Sequence, residues 1–472
     1  MIHVPSAGRF VGVLAVTALA AGLTACAGTP SQSASASRSP HSTSPGYGGS
    51  TSSAVPRAQA ANVPAVASGE AQAFVAKQPA ALRPYFEQLF AAGDRNAVLN
   101  FNRLGVAALA NHEYDIAKKA FDQSITRIDA FRTNGADLAA AKSKFQQEAS
   151  KDFKGEPYER AMVFYYRGLL YLKDGDFSNA GASFARANVE DSQAEGEQYQ
   201  ADYASMKFLQ AWVLQCQGEA STSADLTGQA TTLRPTFSGL KHDQPSLLVI
   251  EAGMGPAKSG SGKYNENLAF DDRGATSAVP GVAIGDGARL DPVLAEDLYF
   301  QASTRGGRPV EFILAGKAKF KDAANTTADV SGAVALGALG AANISAASGN
   351  YSGAAAASYV SAASTLISLV SSAVEASTTP AADTRTWESI PGSLWLATPS
   401  GTDKALAATA VVTVNGAERR ADLTGSNAAC DMAWFRTTPV PPPHADPAEK
   451  IDREANAQMR LRQFQAAMPS WF

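Results

Sequence analysis

The sequence predicts an α + mixed α/β protein. A helical, repeat-built N-terminal half is followed by an α+β half of short strands and an Ala/Gly-rich helical hairpin. Three observations carry this. Aromatic and small residues recur at helical spacing across residues 81–237. β-Branched runs ending in glycine begin at Ser246. The 472-residue chain is Ala-rich and only 18% charged, which favours helix and leaves length for two cores once a non-globular N-terminus is set aside. The formal net charge is −4 with no long basic or acidic run, which argues against nucleic acid as a partner.

Residues 1–25 read as an export signal. Arg9 supplies a cationic start, and Val11 to Leu23 is an apolar stretch too short to span a bilayer permanently. The run Leu23-Thr24-Ala25-Cys26 matches the bacterial lipobox. Small residues let a peptidase reach the backbone before Cys26, whose thiol then accepts a diacylglyceryl group. Two or three acyl chains make a durable membrane anchor where one does not. Residues 26–80 form the lipidated start and a tether; 27–66 are Ala, Gly, Ser, Thr and Pro with few large apolar side chains, a composition that does not offset its ordering entropy. Ala27, not Asp, follows the cysteine, so by the bacterial sorting rule the expected location is the outer membrane, facing the periplasm. Cys216 and Cys430 are the other cysteines; an oxidising compartment permits a disulfide between them, and two separate buried thiols is the alternative.

Within 81–237, the segment Arg160 to Glu190 places Phe164, Gly168, Tyr171, Phe177, Ala180, Phe184 and Ala187 at spacings of 4, 3, 6, 3, 4 and 3. This resembles the tetratricopeptide repeat. Gly168 and Ala180 let two antiparallel helices approach closely, and Asp174-Gly175-Asp176 makes the turn. An earlier copy uses Leu104, Gly105, Ala108, Tyr114, Ala117 and Phe121, with Asn111-His112-Glu113 at its turn. A weaker third runs from Ala204 to Pro235, keeping Ala211, Leu214 and Ala230. The copies are not in strict tandem, so residues 127–158 hold an inserted connection or an extra helix. Stacked repeats form a groove for peptides or partner domains. Its candidate lining is Asn102 and Arg103 in the first copy, Tyr165 and Arg167 in the clearest. His112 sits at a turn without His or Cys neighbours and reads as a solvated loop residue; no metal or cofactor is expected.

Residues 238–437 form the expected α+β domain. Ser246–Glu251 reads as a strand entering the glycine turn Ala252–Pro256. Gly253 to Lys263 fails as a phosphate loop, because Ala257 replaces the first required glycine and Tyr264 the magnesium-binding hydroxyl, so no nucleotide is expected. Ala278–Ile284, Val293–Gln301 and Pro309–Ala315 read as strands, and Ala328–Ala376 as two close-packed helices. Asp383 and Arg385 share a face of an extended chain beside Trp387. The trio is either a ligand clamp or a lock fixing a strand start against a helix. Leu394–Ala397 and Ala408–Val414 read as two strands about a Gly401 turn. Residues 438–472 are a Pro-rich segment and a charged helix, with Asp446 as N-cap and Pro447 behind it.

The helical half, the Ile250–Pro256 segment, the helical pair and the Ala382-Asp383-x-Arg385-x-Trp387…Pro391 block together resemble a family of uncharacterised bacterial envelope lipoproteins. Some of its members are encoded beside a lipoprotein that activates penicillin-binding proteins. The resemblance implies an envelope role and brings no catalytic residue. The chain lacks a Gly-x-Ser-x-Gly elbow, a His-Glu-x2-His helix and a Cys-x2-Cys pair. The expectation is a non-enzymatic scaffold, held to a membrane by its lipid and binding another envelope protein. The alternatives are an accessory lipoprotein for secretion or surface polysaccharide, and a hydrolase without a motif.

Overall fold

The computed structural model describes residues 68–133, 152–192, 202–263, 265–274, 276–285, 287–304, 382–401, 406–438, 440–443 and 455–472. Outside these lie the segment expected to be an export signal, most of the expected tether with Cys26, the bulk of the 127–158 connection, the Pro309–Ala315 segment expected as a strand, the Ala328–Ala376 segment expected as a helical pair, and Asp446, expected as an N-cap.

Three helical hairpins follow one another after α1 (Ser68–Ala76) and α2 (Arg83–Ala92): α3 (Ala97–Ala110) with α4 (Tyr114–Thr133), α5 (Pro157–Lys173) with α6 (Phe177–Asp191), and α7 (Ala204–Cys216) with α8 (Ala220–Leu233). Their turns share one geometry. His112, Gly175 and Gly218 take φ of 60°, 75° and 88°. The next N–H in each turn, of Glu113, Asp176 and Glu219, donates 2.9 Å to the carbonyl of Ala108, Tyr171 and Leu214. These bonds satisfy carbonyls that a helix end leaves open. The first two hairpins also share a close approach: a Cβ on Gly105 would lie 2.6 Å from the Phe121 ring, and one on Gly168 the same distance from the Phe184 ring. Helix α5 starts at Pro157 behind a reciprocal capping box of Glu156 and Glu159.

A five-stranded sheet of order β10-β11-β1-β7-β6 lies against these helices. Its strands are β1 (Ser246–Met254), β6 (Val293–Asp297), β7 (Pro391–Ala397), β10 (Leu423–Ser426) and β11 (Asp431–Arg436). β1 and β11 pair in parallel, from Ser246 opposite Asp431 to Glu251 opposite Arg436. β7 runs antiparallel to β1. Alternation divides the side chains. Leu247, Val249, Leu394, Leu396, Met432 and Trp434 join the helices in one core. Leu248, Ile250, Trp395, Ala433 and Phe435 meet Val282, Val412 and Val414 in a second. The latter three belong to a smaller sheet, order β5-β4-β8-β9, of β4 (Gly281–Ile284), β5 (Ala288–Leu290), β8 (Val411–Val414) and β9 (Ala417–Arg419). A separate ribbon pairs β2 (Ala257–Ser261) with β3 (Asn267–Asp271). With both faces covered, β1 and β11 are apolar runs rather than alternating strands.

Helices and mixed sheets bear out the α+β class, while finer expectations change. One core crosses the boundary expected between residues 237 and 238, and residues Ala60–Phe472 form one compact unit. Val293–Gln301 is a strand only to Asp297; Leu298–Thr304 is helix α9, because Asp297 accepts from the N–H groups of Tyr299 (2.9 Å) and Phe300 (3.2 Å) and caps its start. Leu394–Ala397 and Ala408–Val414 do not make a hairpin about Gly401. The first belongs to β7, the second turns through the short helix α10 (Leu406–Thr409) into β8, and they sit in different sheets.

Candidate functional site

The seam between helices and sheet holds charges that a core ordinarily excludes. Glu251 and Arg436 emerge from paired positions on β1 and β11. Alternation turns both toward the helices, where they meet at 2.5 Å with side chains 0% and 3% exposed. The Glu251 carboxylate also accepts from Trp434 Nε1 at 3.0 Å and Tyr166 OH at 3.2 Å. Arg436 Nη2 donates to Ser389 O at 2.6 Å. Burial raises the Glu251 pKa despite the adjacent guanidinium. Burial, then the nearby Glu251 charge, lifts Tyr165 and Tyr166 well above the ordinary tyrosine value, so both remain neutral.

A second cluster lies at the start of α5. Lys258 Nζ, from β2, reaches Glu159 Oε2 at 2.6 Å and Glu156 Oε1 at 3.8 Å. Glu159 also accepts the Trp387 N–H at 3.2 Å. The third is the Asp383–Ser389 strap. Arg385 forms a two-pronged pair with Asp383, Nε to Oδ1 at 2.9 Å and Nη2 to Oδ2 at 2.7 Å, and donates to Asn96 Oδ1 at 2.7 Å. It stacks over Phe153, with 5.2 Å to the ring centroid, and not over Trp387. Trp387 is fully buried and donates to Ser389 Oγ at 2.8 Å. Asp383, Arg385 and Trp387 therefore lock an extended segment onto the helices.

The groove lining expected from the sequence is not open. Asn102, Arg103, Tyr165 and Arg167 are all buried. Arg103 pairs with Glu388 at 2.9 Å and donates to Thr386 O at 3.1 Å, so the strap covers it. Tyr165 packs beside Glu251 under the sheet. Arg167 pairs with Asp122 of the neighbouring hairpin at 2.7 Å and lies 3.8 Å from the Tyr171 ring centroid. The strap and the sheet thus cover Arg103 and Tyr165, while Arg167 is engaged within the helical layer. Cys216 and Cys430 are joined by a disulfide, tying the end of α7 to the start of β11. Asn427 holds the junction, donating to Cys216 O at 3.3 Å and accepting from Cys430 N at 2.7 Å.

Two surface features remain. A cavity of about 350 Å³ beside β10 is lined by Lys173, Thr424, Gly425, Ser426, Asn427 and Asp431. Asp431 accepts from Ser246 Oγ and from Ala407 N at 3.0 Å, and burial raises its pKa. The other feature is the seat of the C-terminal helix α11 (Ala455–Ala467), which packs against α2. The Arg127 guanidinium of α4 lies 4.8 Å from the Phe101 ring centroid, 5.5 Å from Phe464 and 4.8 Å from Trp471. Phe472 packs edge-on to Phe86, with centroids 5.0 Å apart. Arg460 reaches Asp94 at 2.6 Å and Asp152 at 2.7 Å, Gln465 donates to Phe90 O at 2.7 Å, and Lys119 to Phe472 O at 2.7 Å.

Sequence reasoning did not single out Glu251, Arg436, Arg127, Phe464 or Trp471. The usable signals were Arg436 closing the apolar run Met432–Phe435, and the apolar residues Leu461, Phe464, Met468 and Trp471 along the C-terminal segment. Among the described residues, no group of three or more His, Cys, Asp or Glu is placed to hold a metal ion, and no helix is long and apolar enough to cross a membrane. The chain matches no family model, no curated protein and no solved structure.

Proposed function

We propose that this chain is an exported, lipid-anchored envelope protein that works as a protein-binding scaffold. The observation that supports it most directly is the Cys216–Cys430 disulfide, since such bonds persist in exported compartments and are rare in reducing ones. The lipobox ending at Cys26 and the low-complexity tether agree with it. Three consecutive hairpins with shared turn geometry, read as tetratricopeptide-like repeats, supply the scaffold. Because Arg103, Tyr165 and Arg167 are spent on internal contacts, the docking surface belongs elsewhere on the helical layer.

Metabolic labelling with an alkyne palmitate, followed by fractionation, tests the anchor. Label and membrane association in the parent chain, both lost in Cys26→Ala, support it; an unlabelled, unanchored parent chain sinks it. In-cell crosslinking of both forms tests the scaffold. Recovery of a wall synthase or its activator with the anchored form only would point to work in wall assembly, the process that the family resemblance favours. Peptidoglycan pulldown and sensitivity to wall-targeting antibiotics separate that from a secretion or surface-polysaccharide accessory role.

A further inference from the structure

We propose that the outer edge of β10 is a binding site for an extended peptide bearing a carboxylate, which adds as a strand beside β10 and pairs with Lys173. β10 ends the order β10-β11-β1-β7-β6, so one of its edges has no strand partner among the described residues. The register shows which groups face that edge. Asn427 N donates to Cys430 O at 2.9 Å, so residues 427 and 430 form a hydrogen-bonded pair. Bonded and open pairs alternate along antiparallel strands. Gly425 with Met432 is therefore bonded, while Ser426 with Asp431 and Thr424 with Ala433 are open. Residues of open pairs aim their N–H and C=O groups away from the partner strand. Thr424 and Ser426 thus turn these groups to the free edge, and both residues are exposed.

This edge lacks the features that ordinarily block strand addition. The end strands of the smaller sheet carry Arg289, Glu418 and Arg419, whereas Leu423-Thr424-Gly425-Ser426 holds neither charge nor proline. Beside it lies the cavity of about 350 Å³, a volume in the range of ligand sites, with Lys173, Thr424, Gly425 and Ser426 among its walls. Two other polar side chains there are committed. Asp431 accepts from Ser246 and Ala407, and Asn427 accepts from Ala429 N at 2.8 Å and from Cys430 N. Lys173 is held more loosely. Its ion-pair contact is Asp174 at 3.8 Å, a group that Lys118 already takes at 2.7 Å, and its ammonium rests 4.5 Å from the Tyr114 ring centroid. Main-chain pairing gives affinity to an extended segment, and this cation selects one with a carboxylate. The inference gives the scaffold reading a docking surface and rests on that reading for its biological meaning. Its test uses purified full chain, so it stands or falls apart from lipid anchoring and in-cell capture.

A display library of random short peptides with free carboxyl ends, selected on the purified full chain, supplies the probe. Enriched peptides are then titrated into the parent chain, Lys173→Met, Thr424→Ala and Thr424→Pro. Proline removes the outward N–H at 424 and leaves the bonds to β11 in place. The expected result is enrichment of acidic peptides whose affinity is unchanged in Thr424→Ala. In Lys173→Met and in Thr424→Pro it falls at least about tenfold. Removing the peptide's carboxylates, by amidation at the end and by Asn or Gln within, should weaken binding to the parent chain by a similar factor. The step that does so tells which carboxylate Lys173 takes. No enriched peptide, peptides without a carboxylate, or equal affinity for the parent chain and a folded Thr424→Pro overturns the proposal. If Thr424→Pro does not fold, N-methylation of the enriched peptide decides. Loss of binding from one alternating set of positions and not the other supports strand addition, and two sets that act alike overturn it.

Discussion

Glu251 and Arg436 sit opposite each other on adjacent parallel strands and close a 2.5 Å ion pair beneath the helical layer. Neither side chain reaches water, and the remaining acceptor capacity of the carboxylate is used by Trp434 and Tyr166. The pair therefore couples the middle of the sheet to α5. Removing one partner strands the other in a low-dielectric core. Arg436→Met is expected to cost about 3–5 kcal/mol, and the double change Glu251→Leu/Arg436→Met to recover most of that loss. Urea unfolding of the parent chain, of the single variants Arg436→Met and Glu251→Leu, and of the double variant checks it; additive losses in the double variant would show that the pair is not the coupling.

The repeated glycine–phenylalanine contact makes a second prediction. A methyl at residue 168 points into the ring of Phe184, and neither the helix backbone nor a ring edge yields easily. Gly168→Ala is expected to lose about 1–3 kcal/mol through overpacking. Phe184→Leu in the same chain should restore part of it by vacating the ring's space. The same relation is expected for Gly105 with Phe121, because the geometry is shared. Thermal unfolding of the single and double variants reads the non-additivity.

These two contacts differ in how far the sequence reveals them. The spacing of Gly168, Ala180 and Phe184 is a local pattern of period 3.6, so the hairpin and its tight crossing are legible in the sequence alone. β11 is not. Asp431–Arg436 is buried on both faces, so it lacks the alternation that marks a strand, and its parallel partner begins at Ser246. A pairing so distant along the chain leaves no periodic trace. Arg103 and Tyr165 are legible as inward-facing; that Thr386, Glu388 and the sheet cover that face is not. Covering of a helical face by distant segments depends on long-range topology, which spacing does not encode.

The disulfide makes a third prediction. It joins cysteines 214 residues apart, so its closure removes many unfolded conformations. Cys216→Ser/Cys430→Ser is expected to be less stable by about 2–5 kcal/mol. Reductant should lower the parent chain toward the same midpoint and leave the variant unmoved. Guanidinium unfolding with and without a phosphine reductant checks this; a reductant effect on the variant, whose one remaining cysteine is Cys26, would mean that the shift does not come from the Cys216–Cys430 bond.

Asp431 makes the fourth prediction, about pH. Burial raises its pKa above the ordinary carboxylate value, against the lowering effect of donation from Ser246 and from backbone N–H groups including that of Ala407. A raised folded-state value means that the native chain takes up the proton before the unfolded chain does. Stability from this group therefore grows as pH falls from neutral through the raised value, and is complete below the ordinary value. Glu251 and Asp422 act in the same direction, while Asp176, held low by Asn179, acts in the opposite one. Asp431→Asn removes one proton site and leaves the other carboxylates in place. The parent chain should gain stability relative to this variant as pH is lowered from neutral through the raised folded-state value toward the ordinary carboxylate value. Unfolding midpoints of both chains across that range read the difference. A parent chain that instead loses stability relative to Asp431→Asn on acidification would mean that hydrogen bonding from Ser246 and Ala407 outweighs burial and holds the carboxylate charged.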